Sequence, residues 1–562
     1  MEFAEQLVLL QAADGDPAKL TLATADLAFP ALPHEERMAL REALAAAAIP
    51  HWFDAGILAL LLHITAEEGR VLHGRLCQLS VVEPFPARGE TAVNVHEAAR
   101  LALRKSLAAD RTDWFRTLSE RSAAHFANDP APAARIEWIY HRLCCAPDEA
   151  ASELEQLDRD WSDSAHPEDR EALAVAMREL AGTGLIHGRA LVWASLCIAW
   201  VREYRGETAQ LGDEAFGIRK LARDVGDARA ESNAEGLLGD VLQAQGKLGE
   251  AQAAFAEYLA ISRRLAEQDP SNAGWQRDLG VAHGRVGDVL QAQGEMGEAQ
   301  AAFVEYLTII RKLAEQDPSN VGWQRDLAVA HCWVGDVLQA QGKLGEAQAA
   351  FAECITIIRR LAERDPSNAG CQRELAVAHS YVGGVLQAQD KLGEAQAAFG
   401  EYLAISRRLA AQDPSNAGWQ RDLAVAHNRA GGLLQAQGKL GEAQEVFAEY
   451  LAIIRRLAEQ DPSNAGWQRD LAAAHSRVGA VLQAQGKLGE AQAAFAENLA
   501  ISRRLAAQDP SNAGWQLDLA AAQNCVGAVL QAQGKLDEAQ AAFAEALAIS
   551  RRLAEQDPSN AG

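Results

Sequence analysis

The chain is predicted to be an all-α solenoid of stacked helical pairs, led by a small module that mixes helices with two short strands. Three observations carry that expectation. The tetrapeptide DPSN begins at Asp269, Asp317, Asp365, Asp413, Asp461, Asp509 and Asp557, so the C-terminal half is written in blocks 48 residues long. A period of this size marks a solenoid, because one block buries its apolar face only by stacking on its neighbours. Within each block the apolar residues recur at helical spacing, and a glycine and the proline of DPSN divide the block in two.

The block from Ala273 to Asn320 shows how each helix is specified. Trp275, Leu279, Ala282, Val286, Val289 and Leu290 form one stripe at about 100° per residue. Gly294 suits the left-handed turn that follows a helix. A second stripe runs through Ala299, Phe303, Tyr306, Leu307, Ile310 and Leu313. Pro318 forbids continuation, and Ser319 or Asn320 supplies the N-cap of the next helix. Each block therefore predicts two antiparallel helices of roughly 20 residues joined by short turns.

These residues also match a family. Val286-Gly287, Leu290, Gly294, Ala299 and Phe303 fall at the spacing of the tetratricopeptide repeat, and so do Val526-Gly527, Leu530, Gly534, Ala539, Phe543 and Glu545-Ala546-Leu547. The family period is 34 residues, so each block is 14 longer and resembles the extended tetratricopeptide repeats of kinesin light chains. The resemblance covers about residues 231–562, as seven helix pairs of which the first is degenerate. It implies a right-handed superhelix whose first helices line a concave groove that holds peptides.

The positions at which the blocks differ then become candidate contacts. The position of Gly284 reads Gly284, Cys332, Ser380, Asn428, Ser476 and Asn524; the next reads Arg285, Trp333, Tyr381, Arg429, Arg477 and Cys525. Three residues on stand Asp288, Asp336, Gly384, Gly432, Ala480 and Ala528. All three positions are expected off the apolar stripe of the first helix. Trp, Tyr and Arg are the side chains enriched at binding hot spots, and Gln291, Gln339, Gln387 and Gln435 add amides along the same wall. The candidate contacts are Arg285, Asp288, Gln291, Trp333, Asp336, Gln339, Tyr381, Gln387, Asn428, Arg429, Gln435 and Arg477. Aspartates at one end and arginines at the other suit a peptide with a basic and an acidic end.

Other recurring residues have plainer roles. Trp275, Trp323, Trp419, Trp467 and Trp515, with Cys371 as the exception, continue the apolar stripe and are expected to wedge between neighbouring helices. His283, His331, His379, His427 and His475 lie one block apart, roughly 10 Å, too far to share a metal ion. The arginine pairs of the second helices, such as Arg263-Arg264, read as a solvated, ion-paired face, with Glu267 one turn on. The eight cysteines show no CxxC pair, so buried apolar roles are expected rather than disulfides or metal sites.

Residues 1–33 are expected to be a helical lead. Residues 34–105 read as three helices, His34 to Ala47, Phe53 to Leu62 and Thr65 to Leu79, then β-prone runs at 81–85 and 91–95 and a further helix from His96. This is a winged-helix arrangement. WFDAGILALLL, RLCQLSVVEPF and VNVHEAARLALRKSL resemble the winged-helix module of STAND-class signalling ATPases, which include NB-ARC proteins, with Val95-His96-Glu97 at the place of the Met-His-Asp motif. That motif's histidine senses nucleotide, yet no GxxxxGK[ST] phosphate loop accompanies His96, which reads as a helix-start residue. Residues 106–230 predict an irregular helical bridge, with helices at 114–126, 133–144, 149–157, 170–180 and 185–204 and a loop over Asp163 to Pro167.

Composition narrows the function. A formal charge of −24 argues against nucleic acid and anionic membrane as partners, and the third helix sets Glu67 and Glu68 against Arg70, His73 and Arg75. The apolar stretch Ala43 to Ile64 is broken by Pro50, His51 and Asp54, and the N-terminus has no basic segment, so a cytoplasmic protein is expected. No HExxH, GxSxG or paired-carboxylate motif appears, and neither a catalytic role nor a cofactor is expected. The expected function is a scaffold or sensor arm for a protein or peptide. The alternatives are a winged-helix transcription regulator with a repeat sensor, or the C-terminal part of a STAND-type ATPase. The chain stops at Gly562 without a capping helix, from which the expectation is either a fragment of a longer chain or end-to-end self-association through the last repeat.

Overall fold

The computed structural model describes residues 15–162, 167–205, 210–510 and 512–556. The start of the expected N-terminal lead, most of the loop expected after Asp163 and the last DPSN segment lie outside the described residues. The chain divides into two compact units, Met1–Leu237 and Leu238–Gly562.

The first unit begins with α1 (Pro17–Ala28), α2 (His34–Ala47), α3 (Ala55–Leu62) and α4 (Ala66–Leu76). Asp54 caps α3 by accepting the Ile57 amide, and Thr65 with Glu68 forms a reciprocal capping box on α4. β1 (Val82–Pro84) pairs antiparallel with β2 (Val93–Val95), Val82 opposite Val95. Phe53 exchanges both backbone hydrogen bonds with Val93, at 2.8 and 2.9 Å, which ties the segment before α3 to the hairpin. Alternate β2 side chains, Val93 and Val95, point into the core of Leu40, Leu44, Phe53, Leu58 and Leu76. Then come α5 (Glu97–Asp110), α6 (Thr112–Phe126), α7 (Pro132–Cys145), α8 (Pro147–Ser162), α9 (Pro167–Thr183), α10 (Gly188–Tyr204) and α11 (Leu211–Asp224). The sequence reading missed α11. Its buried residues Leu211, Ala215, Ile218 and Ala222 do follow helical spacing, but Gly212 and Gly217 lower its propensity.

The unit boundary falls inside α12 (Ala228–Ala244), which pairs in sequence with α13 (Leu248–Gln268). The second unit continues as six pairs: α14 and α15 (Ala273–Ala292, Met296–Gln316), α16 and α17 (Val321–Ala340, Leu344–Arg364), and α18 and α19 (Ala369–Ala388, Leu392–Gln412). They are followed by α20 and α21 (Ala417–Ala436, Leu440–Gln460), α22 and α23 (Ala465–Ala484, Leu488–Gln508), and α24 and α25 (Ala513–Ala532, Leu536–Gln556). Each helix packs on the next, so the pairs stack as the 48-residue period requires. Asparagine is the cap: Asn320 Oδ1 accepts the Trp323 amide at 3.0 Å, and the same bond recurs from Asn272 to Asn512. Ser319 donates its hydroxyl to Asp317 instead, which closes the turn.

Two features set the helix spacing. Within a pair, a phenylalanine of the second helix lies on a glycine of the first, as Phe399 on Gly383, where an added Cβ would meet the ring at 2.6 Å. Between pairs, glutamines donate to carbonyls at both ends of the second helix, of which the one in its last turn would otherwise be open. Gln420 donates to Ala410 O at 3.1 Å at one end of a seam, and Gln437 to Leu392 O at 3.4 Å at the other. The first helices α16 and α18, α18 and α20, and α22 and α24 also touch directly, while second helices of neighbouring pairs stay further apart. The closer row is the inner wall of the stack.

Within each pair the turn takes a residue at positive φ, glycine in all but one. Gly294, Gly342, Gly438, Gly486 and Gly534 lie between φ 75° and 85°, and Asp390 stands in their place at φ 63°. A side chain there carries a steric cost that glycine avoids. Asp390→Gly is expected to stabilise the second unit by about 0.5–1 kcal/mol, read as a higher urea midpoint; an unchanged or lower midpoint contradicts this.

Candidate partner-binding groove

The candidate residues start from the inner row of first helices. Gly284 and Cys332, expected off the apolar stripe, are buried instead. Gly284 has no side chain because the Trp333 indole of the next pair occupies that space, with an added Cβ falling 2.2 Å from the ring. Trp333 and Tyr381 are likewise half-buried and not free-standing. Trp333 lies 5.5 Å from Phe303 and 5.2 Å from Tyr306, both of the preceding second helix, and Tyr381 stacks on Phe351 at 5.1 Å with the planes 8° apart. The correction has a simple cause: a ring at this position is long enough to reach across the seam, where burying it gains more than leaving it in water.

The polar candidates form a charged row beside those rings. The Arg285 guanidinium lies 3.2 Å from Asp240 and 4.0 Å from Asp288. Burial raises the Asp288 carboxyl above the usual range, Arg285 opposes this and the Asp336 carboxylate adds to it. Gln291 donates to Asp336 across the seam at 2.6 Å. The Tyr381 hydroxyl, raised chiefly by burial, also feels Asp336, Asp288 and Arg429. Thus Arg285, Asp288, Gln291, Asp336, Tyr381 and Arg429 share one wall over four successive pairs. Gln339 repeats the Gln291 geometry toward Gly384, where no carboxylate waits, and its amide would sit 3.7 Å from a Cβ there. Gln387 and Gln435 are half-buried in the same column, and Asn428 keeps a buried Oδ1 without a hydrogen-bond partner among the described residues. Arg429 and Arg477 are exposed.

Beside this row runs an ion-pair ladder that the sequence reading overlooked. Arg277 meets Asp326, Arg325 meets Glu374, Arg373 meets Asp422, Arg421 meets Asp470 and Arg469 meets Asp518, each pair bridging consecutive first helices. The signal was present: each arginine precedes its carboxylate by 49 residues, one more than the period. These pairs are part-exposed, so each contributes at most about 1 kcal/mol, and their effect is to hold register. The second-helix arginines also reach further than expected, Arg408 donating to Gln372 at 2.7 Å and Arg552 to Gln516 at 2.9 Å on the paired first helix.

The repeated histidines sit at the join of the helices. Burial lowers the pKa of His283, His331, His379, His427 and His475, the arginine of a neighbouring second helix lowers it further, and a glutamate opposes both. Among the described residues no group of three or more His, Cys, Asp or Glu side chains is placed to hold a metal ion. The cysteine expectation needs correction: Cys332 and Cys354 form a disulfide, because two single-copy replacements fall on facing helices with Cα atoms 5.9 Å apart.

The first unit holds a buried charge network that the sequence reading did not find. Arg104, 1% exposed, donates to Ala48 O at 2.9 Å, Tyr140 Oη at 2.7 Å and Glu179 Oε1 at 2.7 Å. Arg100 reaches the other Glu179 oxygen at 2.7 Å, and His51 lies 2.8 Å from Glu137 and 3.3 Å from Glu179. The signal available was Arg100 and Arg104, one turn apart on the apolar face that carries Leu103 and Leu107. His51 and the basic side chains hold Glu179 well below the usual carboxylate range against the opposing effect of burial. His96, by contrast, sits exposed at the N-terminus of α5 and makes no capping bond with its side chain.

The family description "Tetratricopeptide repeat" matches residues 328–360 and, in a second form, residues 519–559. No curated protein matches. A solved STAND protein (Signal Transduction ATPase with Numerous Domains) with a tetratricopeptide repeat sensor, from Pyrococcus horikoshii, is 13% identical. It superposes with a TM-score of 0.52 over 87% of this chain and 66% of its own. BtubC (BKLC) from P. vanneervenii is 19% identical over 47% of this chain and 92% of its own, at a TM-score of 0.37. A Rap protein complexed with Competence and Sporulation Factor is 13% identical over 72% of this chain and 99% of its own, at 0.46. At these identities the likeness is one of fold, a tetratricopeptide-type helical repeat.

The buried network has a consequence for acid stability. Burial drives His141, in contact with Glu137, from 6.5 down to about 4. A depressed folded pKa means that its stability contribution is complete above pH 6.5 and is lost as pH falls toward 4, because the unfolded chain takes up the proton first. The loss over that window is on the order of 3 kcal/mol. Ring titration by NMR in the full chain, assigned with a His141→Gln variant, is expected to place the midpoint near 4; a midpoint at the ordinary histidine value contradicts it.

Proposed function

We propose that this protein of tetratricopeptide-type helical pairs holds a peptide or protein segment along the inner wall of its first helices, and that it does so as a scaffold or sensor arm without catalysing a reaction. One observation carries the reading. Asp288 and Asp336 stand at one end of the charged row beside a single arginine, and Arg429 and Arg477 stand exposed at the other. A segment with a basic side chain over the second and third pairs and an acidic one over the fifth and sixth would neutralise both ends. The half-buried Asp288 and Asp336 gain most from it, because their charges are only partly solvated. The glutamine column between them supplies amides for the backbone of an extended chain.

The first unit fits the same reading. Three helices followed by a two-stranded hairpin and α5 support a winged-helix module of the kind found in STAND-class proteins. Its third helix is poorly equipped for nucleic acid: Arg70 pairs with Glu67, and Arg75 with Glu36 at 2.9 Å. A transcription regulator would need those charges free for phosphate. No helix among the described residues is long and apolar enough to cross a membrane. The location we propose is cytoplasmic.

The test is selection of peptides from a random display library on the immobilised full chain. Selected sequences are expected to carry Lys or Arg at one end and Asp or Glu at the other. The double substitution Arg429→Glu and Arg477→Glu is expected to weaken them by about tenfold or more, roughly 1.4 kcal/mol. Selections without a charge pattern, or unchanged affinity in a variant with an intact helical spectrum, overturn the proposal.

A further inference from the structure

The third pair, α16 and α17, departs from the others in a coordinated way. Cys332 on α16 stands where the other first helices carry Gly284, Ser380, Asn428, Ser476 or Asn524. Cys354 on α17 stands where the other second helices carry Tyr258, Tyr306, Tyr402, Tyr450, Asn498 or Ala546. The two are joined, their Cα atoms 5.9 Å apart, and both are buried, at 8% and 3% exposure. The following first helix begins with Cys371 where five others have Trp.

These replacements change what crosses one particular seam. Between the fourth and fifth pairs, Trp419 packs on the cluster of Tyr402, Ile405 and Leu409, and the Tyr402 hydroxyl donates to Asp422 O at 3.4 Å. Trp467 and Tyr450 repeat this one seam later, with Tyr450 donating to Asp470 O at 3.4 Å. Between the third and fourth pairs the same two positions are Cys354 and Cys371, so the Trp–Tyr contact is missing there and the ring that crosses is Tyr381, stacked on Phe351 at 5.1 Å. The third pair has in addition a covalent link between its two helices.

We propose that Cys332 and Cys354 are a reversible dithiol–disulfide site that governs how readily the third pair opens. The oxidant is a low-molecular-weight disulfide of the glutathione class. One cysteine thiolate attacks it, forming a mixed disulfide and releasing one small thiol. The second cysteine then displaces the other small thiol, and the two protons lost by the cysteines end on the two released thiols. A dithiol reductant reverses both steps. Bonded, α16 and α17 move as one body; reduced, they are held by packing alone. Burial makes exchange wait on local opening of the pair. Cys371 is a poor competitor, since burial raises its thiol pKa.

The test uses the full chain equilibrated with oxidised glutathione or with dithiothreitol. After oxidation and denaturation, two fewer reactive thiols than the eight of the sequence are expected, with one cross-linked peptide joining Cys332 to Cys354. Reduction is expected to raise amide exchange in α16, α17 and α18 by about tenfold or more relative to α20–α23. Cys332→Ser and, separately, Cys354→Ser should each abolish that redox response. Eight reactive thiols after oxidation, a cross-link from Cys354 to Cys371, or equal exchange in both states overturns the proposal.

Discussion

The contact on which the second unit depends is a phenylalanine ring lying on a glycine. In each of the last six pairs the ring occupies the space that any side chain on the facing helix would need, as Phe303 does on Gly287 and Phe447 on Gly431. The two helices therefore approach more closely than residues with side chains would allow, and the ring fills the gap that would otherwise be left between them. Phe303, Phe351, Phe399 and Phe447 are almost completely buried. Because the same contact recurs every 48 residues, every pair has the same thickness and the pairs stack in register.

Register then creates the surface. With equal pairs, Arg277 finds Asp326 and Arg421 finds Asp470, and glutamines bridge the same carbonyls at each seam. None of these interactions is strong alone. Repeated along the stack, they hold the first helices in a continuous inner row, so that residues one period apart become neighbours. The row is chemically varied only where the blocks differ, and there it runs from Asp288 and Asp336 to Arg429 and Arg477. The identical positions build the wall and the variable ones give it chemical character.

Much of this was legible in the residues, and what was not has physical reasons. The period, the DPSN punctuation and the glycine turns specified the helix pairs, since each acts locally on backbone geometry. The direction of a side chain across a seam is not local: Trp333 and Tyr381 looked solvent-facing on a helical wheel because the preceding pair, onto which they fold, is absent from it. The Cys332–Cys354 bond was missed for a similar reason, as 22 residues separate two positions that only the hairpin brings together. In the first unit the Arg104–Glu179 network depends on residues 75 apart, and no periodicity announces it. The charge row was readable because it lies along a repeat, where comparing blocks replaces knowledge of the fold.

The most direct test of the central contact is equilibrium unfolding of the full chain carrying Gly383→Ala. The added methyl has no room beside the buried Phe399 ring, so the two helices of the fourth pair must part. The account predicts a destabilisation of about 1–3 kcal/mol, centred by hydrogen exchange on α18 and α19. A variant as stable as the parent, with exchange unchanged in those helices, would contradict it.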